Sequence, residues 1–249
     1  MKLLIYNIAY GTGTSGGVKG FFSAHRYLRT PEKVIDAIAD FIDASGADVA
    51  GLVEIDTGSF RTGYLDQVSR VAERLPGYTC SAIKYGSQSI GRVLPILRKQ
   101  ANAFFSRKQP QQIKNYYMPF GFKRLILEME VSGIRFFLLH LALHRGTRSR
   151  QLQYIKKIVS INPGPMIICG DFNTFAGDLE LDTFIRDLEL YDPNRERIPT
   201  YPSVGPKKKL DFILCSRGIR AKSFTVPSVQ FSDHLPLILE FELAELPHE

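Results

Sequence analysis

The sequence predicts an α+β fold in which two β-sheets pack face to face and helices cover the outside. Helical patterns lie early in the chain and between strands, whereas the middle of the chain carries strand-like runs in succession. This order fits two packed sheets better than the strict alternation of a barrel. The 249 residues show no internal repeat, low-complexity tract or long linker, so we predict a single domain over residues 1–249.

Hydrophobic spacing and end signals predict the individual elements. Residues 2–10 form an apolar run typical of a buried strand. Thr30, Pro31 and Glu32 then supply a cap, a first-turn proline and an early acid for a helix that ends near Gly46. The same criteria predict further helices at residues 65–75, 151–160 and 181–188, and further strands at residues 48–55, 102–106, 124–131, 135–143, 166–170, 210–215 and 235–243.

Composition excludes several classes of protein. With 44% apolar and 23% charged residues, the chain is neither a disordered tail, a collagen-like repeat nor a disulfide scaffold. No apolar run approaches the roughly 20 residues that a membrane span needs. The apolar opening is interrupted by Asn7, too early for a signal peptide. The three cysteines have no metal-type spacing and are predicted to be reduced core thiols, so a cytoplasmic location is expected.

The charge is distributed unevenly along the chain. The net charge is +7, but residues 74–170 hold sixteen lysines and arginines and only two acids, Glu128 and Glu130. This segment therefore carries +14, and the rest of the chain carries −7. Such a segment is predicted to attract polyanions such as nucleic acid, anionic lipid headgroups or soluble phosphates. The alternative is a solvated surface that only aids solubility.

Polar side chains stand at the ends of the predicted strands or just beyond them. A group that follows a rigid strand is held in place by the scaffold, and reactive groups are often placed this way. Taken singly, each has a plain structural interpretation as a turn, a cap or a core histidine. Together they supply carboxylates, imidazoles and amides: Asn7, Glu54, His140, Asp171, Asn173, Asp211, Asp233 and His234.

The ligand atoms of this set indicate a hard metal ion. Oxygen donors without cysteine suit Mg²⁺, with Mn²⁺ as an alternative, and Mg²⁺ needs only one or two carboxylates beside water and phosphate oxygens. Zinc normally takes a denser set of His and Cys ligands. A metal held by carboxylates beside imidazoles and amides is suited to phosphoester hydrolysis, in which a carboxylate activates water and imidazoles stabilise the transition state.

Short motifs in a fixed order strengthen this hypothesis. They are Asn102-Ala103-Phe104-Phe105-Ser106-Arg107, Gly170-Asp171-Phe172-Asn173, Thr200-Tyr201-Pro202-Ser203, Leu210-Asp211-Phe212-Ile213 and Ser232-Asp233-His234-Leu235-Pro236. In this order, over essentially the whole chain, they resemble the endonuclease/exonuclease/phosphatase superfamily. The resemblance implies a four-layer α/β/β/α sandwich of two mixed sheets flanked by helices, the DNase I-like fold.

The resemblance also implies a metal-binding half of the site. Glu54 would be the principal metal ligand, Asn7 would order the metal or the phosphate beside it, and Asp233 would serve the metal region. Asp171 would orient or deprotonate the attacking water, and Asn173 would hold a phosphate oxygen.

Two histidines complete the site that the resemblance implies. His234 would contact the scissile phosphate, with its tautomer held by Asp211, and His140 would be the second imidazole at the phosphate. Attack would then be in line, without a covalent enzyme intermediate. The metal and the histidines would stabilise a transition state that is more negative than the ground state.

The sequence thus predicts a Mg²⁺-dependent phosphoesterase, and the basic segment favours nucleic-acid phosphodiesters as substrate. Arg107, Arg145 and Arg148 are candidate substrate contacts. One alternative is the same chemistry on a phospholipid of the sphingomyelin type or on a small phosphorylated molecule. Another is a non-catalytic anion-binding module on a nuclease-like fold. No stable protein partner is implied.

Overall fold

A computed structural model describes residues 1–13, 30–85 and 97–244. Within these ranges the strands and helices have the following bounds: β1 Lys2–Asn7, α1 Glu32–Ala44, β2 Val49–Asp56, α2 Gln67–Ala72, β3 Tyr78–Ile83, β4 Gln100–Ser106, β5 Gln112–Tyr117, β6 Leu125–Val131, β7 Ile134–His140, α3 Arg145–Val159, β8 Met166–Asp171, α4 Leu179–Asp187, β9 Leu190–Tyr191, β10 Asp211–Ser216, β11 Ile219–Thr225 and β12 Leu237–Leu243. None of the helices in these ranges is both long and apolar enough to span a bilayer.

The strands form two six-stranded mixed sheets. The first has the order β11-β12-β1-β2-β4-β3, and the second has the order β5-β6-β7-β8-β10-β9. Each sheet holds one parallel pair near its centre, β1 with β2 and β7 with β8. The remaining neighbours run antiparallel. The predicted two-sheet fold is therefore confirmed.

Alternation along the strands builds three apolar layers. Leu3 and Ile5 of β1 face the second sheet, whose Phe136 and Leu138 meet them in the core between the sheets. The intervening residues of β1 face α1, as expected for side chains that alternate between the two faces of a strand. A third cluster packs α3 and α4 on the outer face of the second sheet. The layers are thus helix, sheet, sheet, helix.

Two glycines mark close approaches inside this sandwich. A Cβ on Gly51 would lie 2.7 Å from Ile5 Cδ1 on the neighbouring strand and 3.2 Å from Leu138 Cδ1 on the opposite sheet, so the two sheets approach closely there. Gly170 has a φ of +127°, and a Cβ there would lie 2.0 Å from the carbonyl oxygen of Leu139 on the neighbouring strand. Glycine is therefore required directly before Asp171, which explains the first residue of the Gly170-Asp171-Phe172-Asn173 motif.

The structure also departs from the predicted elements. The first strand ends at Asn7 rather than at residue 10, and Tyr10 adopts a left-handed conformation with a φ of 58°. Helix α3 begins at Arg145, six residues before the prediction, because its first turns are polar and lack the apolar spacing that was sought. The sequence does not predict β3, β5 and β11, because their side chains are largely exposed and mixed in character. It also does not predict β9, which has only two residues.

Candidate active site

The carboxyl ends of the two parallel strand pairs meet at one edge of the sandwich. Asn7 and Glu54 come from the first sheet, while His140 and Asp171 end β7 and β8 in the second. A hydrogen bond joins the two halves: Asn7 Nδ2 donates to Asp171 Oδ2 over 3.0 Å. His140 Nδ1 lies 3.6 Å from Glu54 Oε1. Side chains far apart in the sequence therefore form one cluster.

Glu54 reaches the cluster through an irregularity in β2. The pairing of β2 with β4 shifts register between Val53 and Ile55, and Glu54 itself has a φ of 59°. A bulge of this kind re-aims a side chain that regular pleating would send elsewhere. Burial opposes ionisation of Glu54, but the charges of Lys84, His140 and Lys123 outweigh it and lower the pKa of its carboxyl to about 2. Glu54 is therefore ionised at neutral pH.

Two lysines flank His140. Lys84 Nζ lies 3.2 Å from His140 Nδ1, and Lys123 Nζ contacts Nε2 of the same ring. His140 Nε2 also lies 3.2 Å from the acceptor Asp171 Oδ2, which assigns the ring hydrogen to Nε2. Lys123 therefore touches Nε2 without hydrogen-bonding to it, and the accepting lone pair on Nδ1 faces Lys84. Burial and the two lysine charges lower the pKa of His140 to about 4. His140 is therefore a neutral imidazole at physiological pH.

Asp171 is the hub of the cluster. Its Oδ2 accepts from Asn7 and His140, and its Oδ1 accepts from the backbone N–H of Asn173 over 2.9 Å. Burial opposes ionisation of Asp171, but the contact with His140 and the charge of His234 outweigh it and hold the pKa of the carboxyl well below its ordinary value. Asn173, at a φ of 54°, donates its side-chain N–H to Leu141 O, so only its second N–H remains for a ligand.

His234 and Asp211 form a buried pair. His234 Nδ1 lies 2.8 Å from Asp211 Oδ2, which also accepts from the hydroxyl of Thr200 over 2.6 Å. The opposite ring nitrogen, Nε2, lies 4.0 Å from Asp171 Oδ2. Burial disfavours the charged ring, but Asp211 and Asp171 outweigh it and raise the pKa of His234 to about 10. The ring is therefore protonated at neutral pH, with Nε2–H toward Asp171.

We expect Asp211→Asn to lower the pKa of His234 toward the ordinary value of about 6.5, because the carboxylate partner is lost. A folded-state pKa above the unfolded value stabilises the protein fully below about pH 6.5, and this contribution disappears as the pH rises through about 10. Nitrogen-15 NMR titration of the ring measures the pKa. Urea unfolding at pH 6.5 and 9.5 measures the free energy of unfolding. The difference in this free energy between wild type and Asp211→Asn should be smaller at pH 9.5 than at pH 6.5. An equal difference in the free energy of unfolding at both pH values would contradict the pairing of His234 with Asp211.

One group within the cluster has the spacing of a metal site. A carboxylate oxygen of Asp171, one of Asp211 and a ring nitrogen of His234 lie within 4.8 Å of one another, and the nitrogen can bind a metal only once its proton is lost. Asp211 Oδ1 is buried and has no hydrogen-bond partner, so one acceptor is free for a cation. Glu54 adds a further ionised carboxylate across His140. These oxygen-rich donors fit a divalent cation.

The three metal ligands predicted from the sequence are all different from the residues of this group. Glu54 lies in the cluster, but Asn7 already uses its side-chain oxygen to accept from the N–H of Ala9 over 3.0 Å. Asp233 is exposed at the mouth, where it accepts from the hydroxyl of Ser232. The assignment of Glu54, Asn7 and Asp233 to the metal therefore stays a prediction.

Comparison with known proteins identifies the family. Residues 4–234 match the sequence profile described as the Endonuclease/Exonuclease/phosphatase family. The chain belongs to this family. Its members are generally phosphoester hydrolases, and the chain has the fold and the clustered carboxylates, amides and imidazoles expected of one.

Solved structures of the endonuclease/exonuclease/phosphatase family and similar folds overlay almost all of the chain. A conserved protein of unknown function from Enterococcus faecalis has a TM-score of 0.76 at 14% identity, over 98% of this chain and 100% of that one. A mannosyl-6-phosphatase from Bacteroides thetaiotaomicron has a TM-score of 0.70 at 17% identity, with the same coverage. These likenesses establish the fold.

A curated relative matches in sequence over a shorter region. The protein YE0917 of Yersinia enterocolitica is 29% identical over 126 residues, which are 48% of this chain. The match spans only 44% of the length of that relative.

The three arginines predicted as substrate contacts lie in different environments in the structure. Arg107 follows the far end of β4, where its N–H bonds Asp48 O and its guanidinium pairs with Asp43. That position is about 20 Å along β2 from Glu54, so the prediction for Arg107 is not supported. Arg145 is exposed at the start of α3 and stays a prediction.

Arg148 is buried rather than exposed to substrate. Its Nη1 donates to the carbonyl oxygens of Ala142, Leu143 and Asn173 at 3.0, 2.8 and 2.8 Å, and its Nε donates to Glu180 over 2.6 Å. It therefore ties the loop after His140 to the loop after Asp171. The prediction of Arg148 as a substrate contact is replaced by a positioning role, because its donors are all directed to the protein.

In the folded structure, part of the positive charge of the basic segment, residues 74–170, is neutralised by carboxylates. Of its sixteen lysines and arginines, Arg92 lies outside the described residues, and six others pair with carboxylates, most of them from other segments. Sequence counting could not show this, since the partners are distant in the chain. The six are Arg74, Lys84, Arg107, Arg135, Arg148 and Lys156.

Proposed function

We propose that the chain is a Mg²⁺-dependent phosphoesterase that hydrolyses nucleic-acid phosphodiesters by in-line attack of water. The observation that carries the proposal is the single cluster in which Asp171 contacts Asn7, His140 and Asn173, with His234 4.0 Å away. A base, a proton donor and an amide thus surround one position where a phosphate can sit.

The side chains divide the reaction between them. Asp171, ionised and fixed by hydrogen bonds on both oxygens, orients the attacking water and accepts its proton. His234, protonated and held by Asp211, donates through Nε2 to an oxygen of the phosphate as negative charge develops there. Asn173 offers its second side-chain N–H to another oxygen. Bulk water is excluded because these groups are nearly fully buried.

A divalent metal would complete the charge balance. Glu54 would hold it, with Asn7 and Asp233 as the other predicted ligands, and Asp171 and Asp211 would offer further carboxylate oxygens. When bound, Mg²⁺ supplies charge neutralisation and orientation of the phosphate oxygens.

The choice of substrate depends on the rim of the site. Phe122 is 72% exposed and is the sequence neighbour of Lys123, which contacts His140, so an exposed aromatic residue adjoins a cation of the site in the chain. Such a pair suits a nucleobase next to its phosphate. A phospholipid or small phosphorylated substrate is the second candidate, favoured by the internal pairing of the basic segment. In the third, non-catalytic interpretation the same groups bind an anion without turnover.

A substrate panel with and without Mg²⁺ tests the proposal. It includes plasmid DNA, single strands, nucleotides, a sugar phosphate and sphingomyelin, with Glu54→Gln as the control. We expect Mg²⁺-dependent cleavage of nucleic acid that falls steeply with salt, because phosphate contacts release counterions. Turnover of only the lipid or small substrates, with little salt dependence, would favour the second candidate. Binding without any turnover would favour the anion-binding module.

Arg145→Ala should raise KM for a nucleic-acid substrate several-fold with little change in kcat, because an exposed cation at the mouth is lost. Arg107→Ala is the matched control and should leave KM unchanged, since this residue lies at the far end of the sheet. Steady-state kinetics at low salt measure both. Equal effects of the two substitutions would indicate a diffuse field rather than a contact by Arg145.

A further inference from the structure

A buried lysine stands in the metal half of the site without an assigned role. Lys84 is 2% exposed, and its Nζ lies 3.7 Å from Glu54 Oε1, 3.2 Å from His140 Nδ1 and 3.1 Å from the hydroxyl of Tyr10. The carboxylate proposed as the principal metal ligand therefore already has a cation beside it.

The protein builds the position of this ammonium. Tyr10 stays in its left-handed conformation because Gln67 donates to its carbonyl oxygen over 2.7 Å, and the guanidinium of Arg61 lies over its ring at 3.8 Å. Arg61 in turn pairs with buried Asp56. The hydroxyl that contacts Lys84 is therefore held by a packed network, and Lys84 is directed toward Glu54.

An unpartnered amide adjoins this position. Asn102 on β4 is 1% exposed, and neither its Oδ1 nor its Nδ2 has a hydrogen-bond partner. It pairs across the sheet with Val53 on one side and Ala82 on the other. Lys84 follows Ala82 by two residues and so shares its face of the sheet. A free polar group therefore lies next to the Glu54 and Lys84 pair, where it can serve a hydrated ligand.

We propose that Lys84 shares the Glu54 carboxylate with the divalent ion and so weakens the affinity of the site for that ion. The proposal rests on the proposed function in taking Glu54 as a metal ligand. A fixed positive charge beside the ligand repels a divalent cation, and part of the negative charge of Glu54 is already neutralised.

Binding of Mn²⁺ without substrate tests the proposal, measured by the electron paramagnetic resonance signal of the free ion. We expect Lys84→Met to tighten the Kd for Mn²⁺ at least tenfold. The gain should vanish in Lys84→Met/Glu54→Gln. Lys108→Met, at an exposed lysine beyond the far end of β4, is the control and should bind as wild type does. Should Lys84→Met fail to fold, Lys84→Gln also removes the charge but keeps a donor toward Tyr10.

Unchanged or weaker binding in the folded Lys84 variant would overturn the proposal. Tightening that persists in the double variant would also overturn it, because the ion would then bind away from Glu54. The Mn²⁺ binding measurements are made without substrate, so they can be interpreted even if no substrate of the panel is hydrolysed. Conversely, a negative result here leaves phosphoester hydrolysis to be judged by the panel alone.

Discussion

Asp171→Asn is expected to lower kcat by about 10³-fold, within the range of 10²–10⁴ typical for loss of a general base. The amide can still accept a hydrogen bond from the N–H of Asn173, so the loop after β8 keeps its shape. It cannot accept a proton from water, and it no longer supports the charge on His234. Initial rates on the preferred substrate of the panel measure the effect.

The control for this substitution is Asp187→Asn, which removes a carboxylate that pairs with Lys156 on the outside of the protein. Its kcat should equal that of wild type. Circular dichroism and a melting curve establish that both variants are folded. Turnover by folded Asp171→Asn at the wild-type rate would contradict the role of Asp171 in activating water.

Arg148→Met is expected to cost about 3–5 kcal/mol of the free energy of unfolding, because Glu180 is left as a buried charge without its partner. Three carbonyl oxygens also lose their donor. For a chain of this size the melting temperature should fall by roughly 6–20 °C. Differential scanning calorimetry measures it, and urea titration gives the free energy.

The matched control is Arg150→Met, two residues further along α3. Arg150 is exposed and lies over the ring of Phe120 at 5.8 Å, so its loss should change the free energy of unfolding by less than about 1 kcal/mol. A folded Arg148→Met should also have a lower kcat, since the loops that carry His140 and Asn173 lose their tie. If the two arginine variants were equally stable, the bracing role of Arg148 would be wrong.

The residues of the cluster could be predicted because they stand at or beside the ends of recognisable strands, and Asp171, Asn173, Asp211 and His234 also belong to short motifs. The fold and family predicted on that basis are confirmed. The metal ligands, catalytic roles, cytoplasmic location, single domain and lack of a stable protein partner stay predictions. The three cysteines, predicted as core thiols, are buried and unpaired.

The residues that were misjudged are those whose role depends on distant partners. From the sequence alone, Arg148 resembles a surface cation. Only the structure shows that it is surrounded by Glu180 and three carbonyl oxygens. Lys84 counted only toward the charge of the basic segment, since β3 is too polar to be recognised as a strand whose end meets Glu54. No local pattern carries that information.

The pairing of β1 with both β12 and β2 has a consequence for biosynthesis. The strand that carries Asn7 forms early in translation, but its antiparallel neighbour is made more than 200 residues later. His234 also emerges just before that neighbour. A nascent chain on the ribosome therefore cannot complete the cluster, which comes together only after β12 has left the exit tunnel.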